Sequence, residues 1–390
     1  MTDLQHIKIV STFFLIAIMA MAFTSCKNTE QAEGYSEIDK LRALYGQPNS
    51  NLWPEPQLDS LVDRESFEDL GLLPKVKFPV TNPYSKSKKE LGKMLFFDGR
   101  LSETGHIACA SCHNPELAWT DNLTRSFGHM RQRGRRNAMT ILNSAYADEL
   151  FWDGRAESLE DQARFPIPDK LEMNSNLDIA VENIAAVEGY KPMFKDAFGD
   201  EEVTLDRILD AIATFERTVK SPKSKFDKFI SGDDSQFSDQ ELQGLHLFRT
   251  KAQCINCHNT PYFSDNQYHN DGQHLFGTKD EDLGRYYVTN DLLDLGKFRT
   301  PSLRETTRTG PWMHHGHFPN LVDVLDLYNL GNPAPIQSKY IGIGRDSLIP
   351  QPSPLLKPLG LSREEINAVI AFLGTLSTNT ERVNLARMPE

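Results

Sequence analysis

Leu91-Gly92-Lys93-Met94-Leu95-Phe96, followed by Cys109-Ala110-Ser111-Cys112-His113, is echoed downstream by Gln243-Gly244-Leu245-His246-Leu247-Phe248, followed by Cys254-Ile255-Asn256-Cys257-His258. Glycine, leucine and phenylalanine stand in register in the two hexapeptides, and the first copy carries seven more residues between phenylalanine and cysteine. Two copies of one unit are implied. Each unit ends in C-x-x-C-H, the pattern of covalent haem attachment. Two thiols at that spacing reach the two vinyl groups of one porphyrin, and the adjacent imidazole turns onto its iron. The chain has five cysteines. Setting Cys26 aside, the two motifs use every one that remains. A disulfide reading suits an exported protein, but it is the haem pattern that both pairs spell. Zinc would need two further ligands at each pair, and nothing nearby supplies them in the usual order. Cys109, Cys112, Cys254 and Cys257 are therefore expected to hold two haems, with His113 and His258 as axial ligands.

Working outward, the second copy has a clear helix start: Ser238 with Glu241 forms a capping box, and Phe237 can staple to Leu242. From Thr204 to Val219, Leu205, Ile208, Leu209, Ile212 and Phe215 follow a 3.6-residue period, and Ser221-Pro222 stops it. Ser362 and Glu365 form a second capping box ahead of the stripe Ile366, Val369, Ile370 and Leu373. No run of alternating strands is present, so the expected fold class is all-α with long loops. The stretches 259–300 and 330–358 are expected over haem edges or a domain interface. At 390 residues the chain exceeds what one core usually organises. Two domains are expected, at 38–220 and 221–390.

Hydrophobic content of 39% and charged content of 25% are those of an ordinary globular protein. A net charge of −12 argues against a nucleic-acid partner, which needs a basic face to displace counterions. At the N-terminus, Lys8 precedes the apolar run Ile9 to Phe23, which ends at Thr24-Ser25-Cys26. This reads as a lipoprotein export signal over 1–25, with Cys26 as the lipidated residue and 26–37 as a tether. A run of about 15 residues falls short of the about 20 that span a bilayer. The expected location is periplasm-facing, on a bacterial membrane, held by the lipid alone.

Several separated blocks carry a family resemblance: Cys109 to Pro115, Arg136-Asn137, Phe151-Trp152-Asp153-Gly154-Arg155-Ala156, Glu172-Met173-Asn174, the second haem motif, Thr300-Pro301-Ser302-Leu303-Arg304 and Thr309-Gly310-Pro311-Trp312-Met313-His314. In order and spacing, from about Leu91 to the C-terminus, the chain resembles the bacterial diheme cytochrome c peroxidases and their relatives that mature tryptophan tryptophylquinone. The resemblance implies two cytochrome c-like haem domains. The haem of His113 would be the peroxide site, and the haem of His258 the electron-entry site.

It also implies site residues. His129 falls where many members hold a distal histidine that blocks the iron until the other haem is reduced. Gln162 and Glu172 match the polar pair facing the open iron. Glu172 would shuttle the peroxide proton as base and then acid, while Gln162 would orient peroxide. Trp152 matches the indole between the haems. A calcium ion would take Asn137 through its side-chain oxygen and Thr309 and Pro311 through their carbonyls. The sixth-ligand position of the second haem, where most peroxidases of the family hold methionine, falls on Tyr328. A phenolate there would lower that haem's potential, as in the tryptophylquinone-maturing relatives.

Two blocks depart from the family pattern. Arg136-Asn137-Ala138-Met139-Thr140 lacks the usual proline, and Met313-His314-His315-Gly316 has histidine for the usual aspartate. The leading expectation is a peroxidase reducing hydrogen peroxide with electrons from a cytochrome c or similar small redox protein. The alternatives are an oxidase acting on a protein substrate and a plain electron carrier. Glu172 and Gln162 argue against the carrier, which needs no acid–base groups beside iron. The sequence leaves open a homodimer and the identity of the donor.

Overall fold

The computed structural model describes residues 36–331, 338–342, 344–379, 383–384 and 387–390. Cys26, the expected signal and the tether up to residue 35 lie outside the described residues. The last two residues assigned to the tether already belong to a helix: Ser36 caps α1 (Glu37–Tyr45) in a capping box with Asp39.

The remaining helices of six residues or more are α2 (Lys86–Phe96), α3 (Leu159–Arg164), α4 (Leu177–Ala185), α5 (Tyr190–Phe198), α6 (Leu205–Glu216), α7 (Lys225–Ile230), α8 (Asp239–Arg249), α9 (Leu321–Leu330) and α10 (Arg363–Thr375). Among the described residues the sheet is minimal: β1 (Tyr268–His269) pairs antiparallel with β2 (Phe298–Arg299). The all-α expectation holds at this level. Both expected capping boxes form, Ser238 with Glu241 at α8 and Ser362 with Glu365 at α10. Thr204 caps α6 as expected, but the helix ends at Glu216 rather than Val219. There the Thr218 and Val219 N–H groups bond three residues back, tightening the last turn.

The repeat hexapeptides lie on α2 and α8, and their shared glycine has a steric reason. A Cβ on Gly92 would stand 1.8 Å from the Ala211 carbonyl oxygen of α6, and one on Gly244 would stand 1.9 Å from that of Ala368 on α10. Only glycine lets each pair of backbones approach so closely.

Two apolar cores follow from these crossings. One gathers Leu91, Phe96, Trp119, Ile208, Ile212 and Phe215. The other gathers Phe226, Leu245, Phe248, Phe263, Val369 and Phe372. The boundary expected at 220/221 describes them incompletely. Leu41, Tyr45, Trp53 and Leu70 pack into the second core, whereas Val383 and Met388 pack against the first. Each end of the described chain thus packs on the core of the opposite half, with Arg249 (on α8) bonded to Asp69 and Arg100 to the Pro389 carbonyl.

Candidate haem-binding and redox site

Between the cores lies a cavity of about 910 Å³ lined by both C-x-x-C-H motifs. Cys109–Cys112 form a single helical turn and Cys254–Asn256 a 3₁₀ turn, so each cysteine pair faces one way with its histidine just beyond. All four cysteines are free thiols. Burial pushes Cys112 up to about 11 and Cys254 up to about 12, so both sulfurs carry their protons.

The two histidines are oriented alike. Nδ1 of His113 donates to the Trp119 carbonyl at 3.2 Å, and Nδ1 of His258 to that of Phe263 at 3.1 Å. A backbone acceptor on Nδ1 fixes the tautomer and leaves Nε2 as the free donor atom for iron. Burial lowers the pKa of both rings and keeps them neutral, as ligation requires. Paired half-buried thiols, a fixed imidazole and an enclosing cavity fit a covalent haem at each motif.

Glu172, Gln162 and His113 all line the cavity. Gln162 comes from α3, whose start is set by Ser158 accepting the Asp161 N–H. Glu172 sits in a turn closed by its own N–H on the Asp169 carbonyl at 3.0 Å. Among the described residues, neither side-chain head group has a hydrogen-bond partner. Burial raises the Glu172 pKa, and the negative charge of Asp169 raises it further. This is the environment of a carboxyl able to hold and release a proton.

His129 is not among the residues lining the cavity, although Gly128 before it is. The Gly128–His129 turn rides on the Glu172 loop: His129 N–H bonds the Glu172 carbonyl at 2.7 Å, and a Cβ on Gly128 would meet the Leu171 carbonyl oxygen at 2.0 Å. The imidazole is thereby turned to Glu103, with Nε2 3.3 Å from its carboxylate, while Nδ1 is buried without a partner.

Trp152 lines the cavity where the two halves meet. Its Nε1–H donates to the Asn137 carbonyl at 3.0 Å, and its own carbonyl accepts the Arg299 N–H at 2.7 Å. Arg136 joins the halves beside it, bonding Asp153 at 2.6 Å and Asp282 at 2.7 Å. Asn137, Thr309 and Pro311 also line this seam. Among the described residues, Oδ1 of Asn137 and the carbonyls of Thr309 and Pro311 accept no hydrogen bond. A set of open hard oxygens fits a calcium ion. His315, which stands for the family's aspartate, accepts the His317 N–H at 3.0 Å, and burial brings it down to about 4, so it is neutral.

Tyr328, from α9, lines the opposite wall near Cys254 and Cys257, and its hydroxyl has no partner among the described residues. Burial holds its phenol protonated, reinforced by the charge of Asp271. An iron cation would reverse that preference.

Sequence reasoning missed two buried carboxyls in the cavity wall. Burial pushes Glu216 up to about 8, and its Oε2 has no partner. A signal existed: Glu216 continues the apolar stripe four residues after Ile212. Asp271, pushed up to about 6 by burial, sits in Asn270-Asp271-Gly272, which reads as an ordinary turn.

A family model described as di-haem cytochrome c peroxidase matches residues 86–235. The methylamine utilization protein MauG of Methylorubrum extorquens is 39% identical over 80% of this chain and 85% of that protein. A cytochrome c551 peroxidase of Nitrosomonas europaea is 38% identical over 79% of this chain and 85% of its own. Among solved structures, a MauG-like protein associated with microbial copper homeostasis superposes with a TM-score of 0.71 at 31% identity, covering 82% of this chain and 95% of that one.

Proposed function

The chain belongs to the di-haem cytochrome c peroxidase family, and from that premise we propose that it reduces hydrogen peroxide to two waters with two electrons from a small redox protein such as a cytochrome c. The observation that carries this reading is that Glu172 and Gln162, both without hydrogen-bond partners among the described residues, line the cavity that His113 also lines. When bound, the haems supply the iron that binds peroxide and the redox equivalents for its reduction.

The chain's own residues then divide the work. Gln162 holds peroxide by hydrogen bonding. Glu172 accepts the proton from the near oxygen and returns it to the departing one, so that water leaves rather than hydroxide. Trp152, hydrogen-bonded to Asn137 and Arg299, would pass electrons from the His258 side to the His113 side. Asn137, Thr309 and Pro311 would hold calcium and pin the seam. The two cores support a division into two haem domains, peroxidatic and electron-transferring. The export signal read over 1–25 supports a periplasm-facing site for this reaction.

Because His129 is held against Glu103, we read the distal face of the His113 haem as open in this conformation. The test is peroxide consumption by the reduced holoprotein. Glu172→Gln should slow it by roughly 10²–10⁴, the worth of a general acid–base group, with normal haem content. A near-normal rate would remove Glu172 from the reaction.

Tyr328 favours a second reading, oxidation of a protein substrate. As a ligand of the His258 haem, its hard phenolate would stabilise oxidised iron and make that haem a poor reservoir of electrons. Peroxide turnover that is negligible with every small redox donor, in a holoprotein whose haems still react with peroxide, would put this reading first.

A further inference from the structure

We propose that Tyr268, together with Glu149, is a proton-coupled redox site through which an oxidising equivalent leaves the haem cavity for the protein surface. The inference rests on the peroxide reading for its oxidant. Tyr268 lies on β1, opposite Arg299 of β2, and the Arg299 N–H bonds the Trp152 carbonyl at 2.7 Å. A second link is more direct. Gly154, two residues after Trp152, packs against the phenol so closely that a Cβ there would stand 1.7 Å from the Tyr268 oxygen. The next residue, His269, lines the cavity itself. The phenol thus packs on the backbone two residues after Trp152, and the strand residue paired with Tyr268 is hydrogen-bonded to Trp152 itself.

The phenol's outer face is arranged for proton transfer. Its hydroxyl donates a hydrogen bond to Oε2 of Glu149. The Glu149 side chain is 33% exposed, so a proton received there can reach solvent. The Arg285 guanidinium lies 3.8 Å over the ring, donates to the same Glu149 oxygen at 2.9 Å and reaches the Asp153 carbonyl at 3.3 Å. A cation over the ring opposes an oxidised phenol that keeps its proton. Burial and the Glu149 carboxylate in turn disfavour loss of the proton alone, raising the phenol's pKa. The two charges leave one inexpensive path, in which electron and proton depart together.

The step balances. The Tyr268 O–H bond breaks, the proton passes to the Glu149 carboxylate to give the acid, and one electron passes by way of Trp152 to the centre that peroxide has oxidised. A neutral tyrosyl radical remains near the surface. A one-electron donor there restores the phenol, which recovers its proton from Glu149.

The test is electron paramagnetic resonance of the holoprotein frozen after one equivalent of peroxide without donor, with the haem spectra recorded in parallel. The wild type should give a tyrosyl signal that narrows when the protein carries ring-deuterated tyrosine. Tyr268→Phe should lose the signal while its haems oxidise as in the wild type, and Glu149→Gln should lower its yield. Haem oxidation without a tyrosyl signal, or a signal that survives Tyr268→Phe, would overturn the inference. Flash-generated tris(bipyridine)ruthenium(III), which oxidises the protein without peroxide, separates the two readings. If peroxide leaves the haem spectra unchanged, the peroxide reading fails. The inference then stands or falls on whether the ruthenium-driven radical is lost in Tyr268→Phe.

Discussion

On one side of the cavity, Gly92 lets α2 cross α6 against the Ala211 carbonyl, Trp119 receives the His113 Nδ1–H, and Glu172 and Gln162 line the wall. On the other, Gly244 lets α8 cross α10 against the Ala368 carbonyl, Phe263 receives the His258 Nδ1–H, and Tyr328 and Asp271 line the wall. The scaffold is repeated; the chemistry is not. The haem-holding parts sit on the crossing helices and the turns after them, where packing constrains every residue. The residues that differ come from α3, α9 and the loops around 172 and 271, which line the cavity but carry neither repeat hexapeptide nor C-x-x-C-H motif.

The largest effect expected from this comparison is on cofactor content. Cys254→Ala with Cys257→Ala should leave one haem on the denatured chain, and Cys109→Ala with Cys112→Ala should leave the other. Peroxide chemistry should be lost outright only in the second pair. If both pairs abolish the same spectral species, the halves are not independent sites.

Glu172→Gln comes next, with a loss of roughly 10²–10⁴ in turnover, whereas Asp271→Asn on the opposite side should leave the chemical step within a few-fold. Equal losses would dissolve the division of labour.

The crossings themselves can be broken one at a time. Gly92→Ala and Gly244→Ala should each destabilise by about 1–3 kcal/mol or more, as overpacking does. Gly374→Ala, where a Cβ would meet nothing within 4 Å on α10, should stabilise by about 0.5–1 kcal/mol. Thermal midpoints of the three holoproteins check this. A tolerated Gly92→Ala would deny the shared crossing.

Much of this architecture is legible in the amino-acid sequence. The two C-x-x-C-H motifs, the capping boxes at Ser238 and Ser362 and the shared glycines are local signals, each tied to a spacing that chemistry demands. The core membership of Leu41 and Met388 is not legible, because nothing local records that a chain end packs on the opposite half. Trp152, Glu172, Gln162 and Tyr328 are identified by family resemblance, and all four line the cavity. His129 matches the same pattern; its imidazole meets Glu103 and Gly128 fits onto the Glu172 loop, tertiary contacts with no sequence signature. Glu216 lies on the periodic stripe of α6, yet periodicity alone does not tell a buried carboxyl from a helix-end charge.

Smaller effects sharpen the comparison. Tyr328→Met should raise the reduction potential of one haem and leave the other unchanged, since thioether ligation favours the ferrous state. Asp169→Asn removes the neighbouring charge that raises the Glu172 pKa. Glu172 must be ionised to accept the peroxide proton, so activity should fall on acidification through that raised pKa. The acid limb of kcat/KM should then move to lower pH in Asp169→Asn. An unmoved limb would assign it to another group.

The central claim, an open peroxide-binding haem beside a tyrosine-ligated one, is tested most directly by electron paramagnetic resonance of the fully oxidised holoprotein. The account predicts one high-spin ferric haem at the His113 site and one low-spin haem whose signal alone changes in Tyr328→Met. Two low-spin haems, with the first becoming high-spin in His129→Gly, would contradict it by placing His129 on the iron.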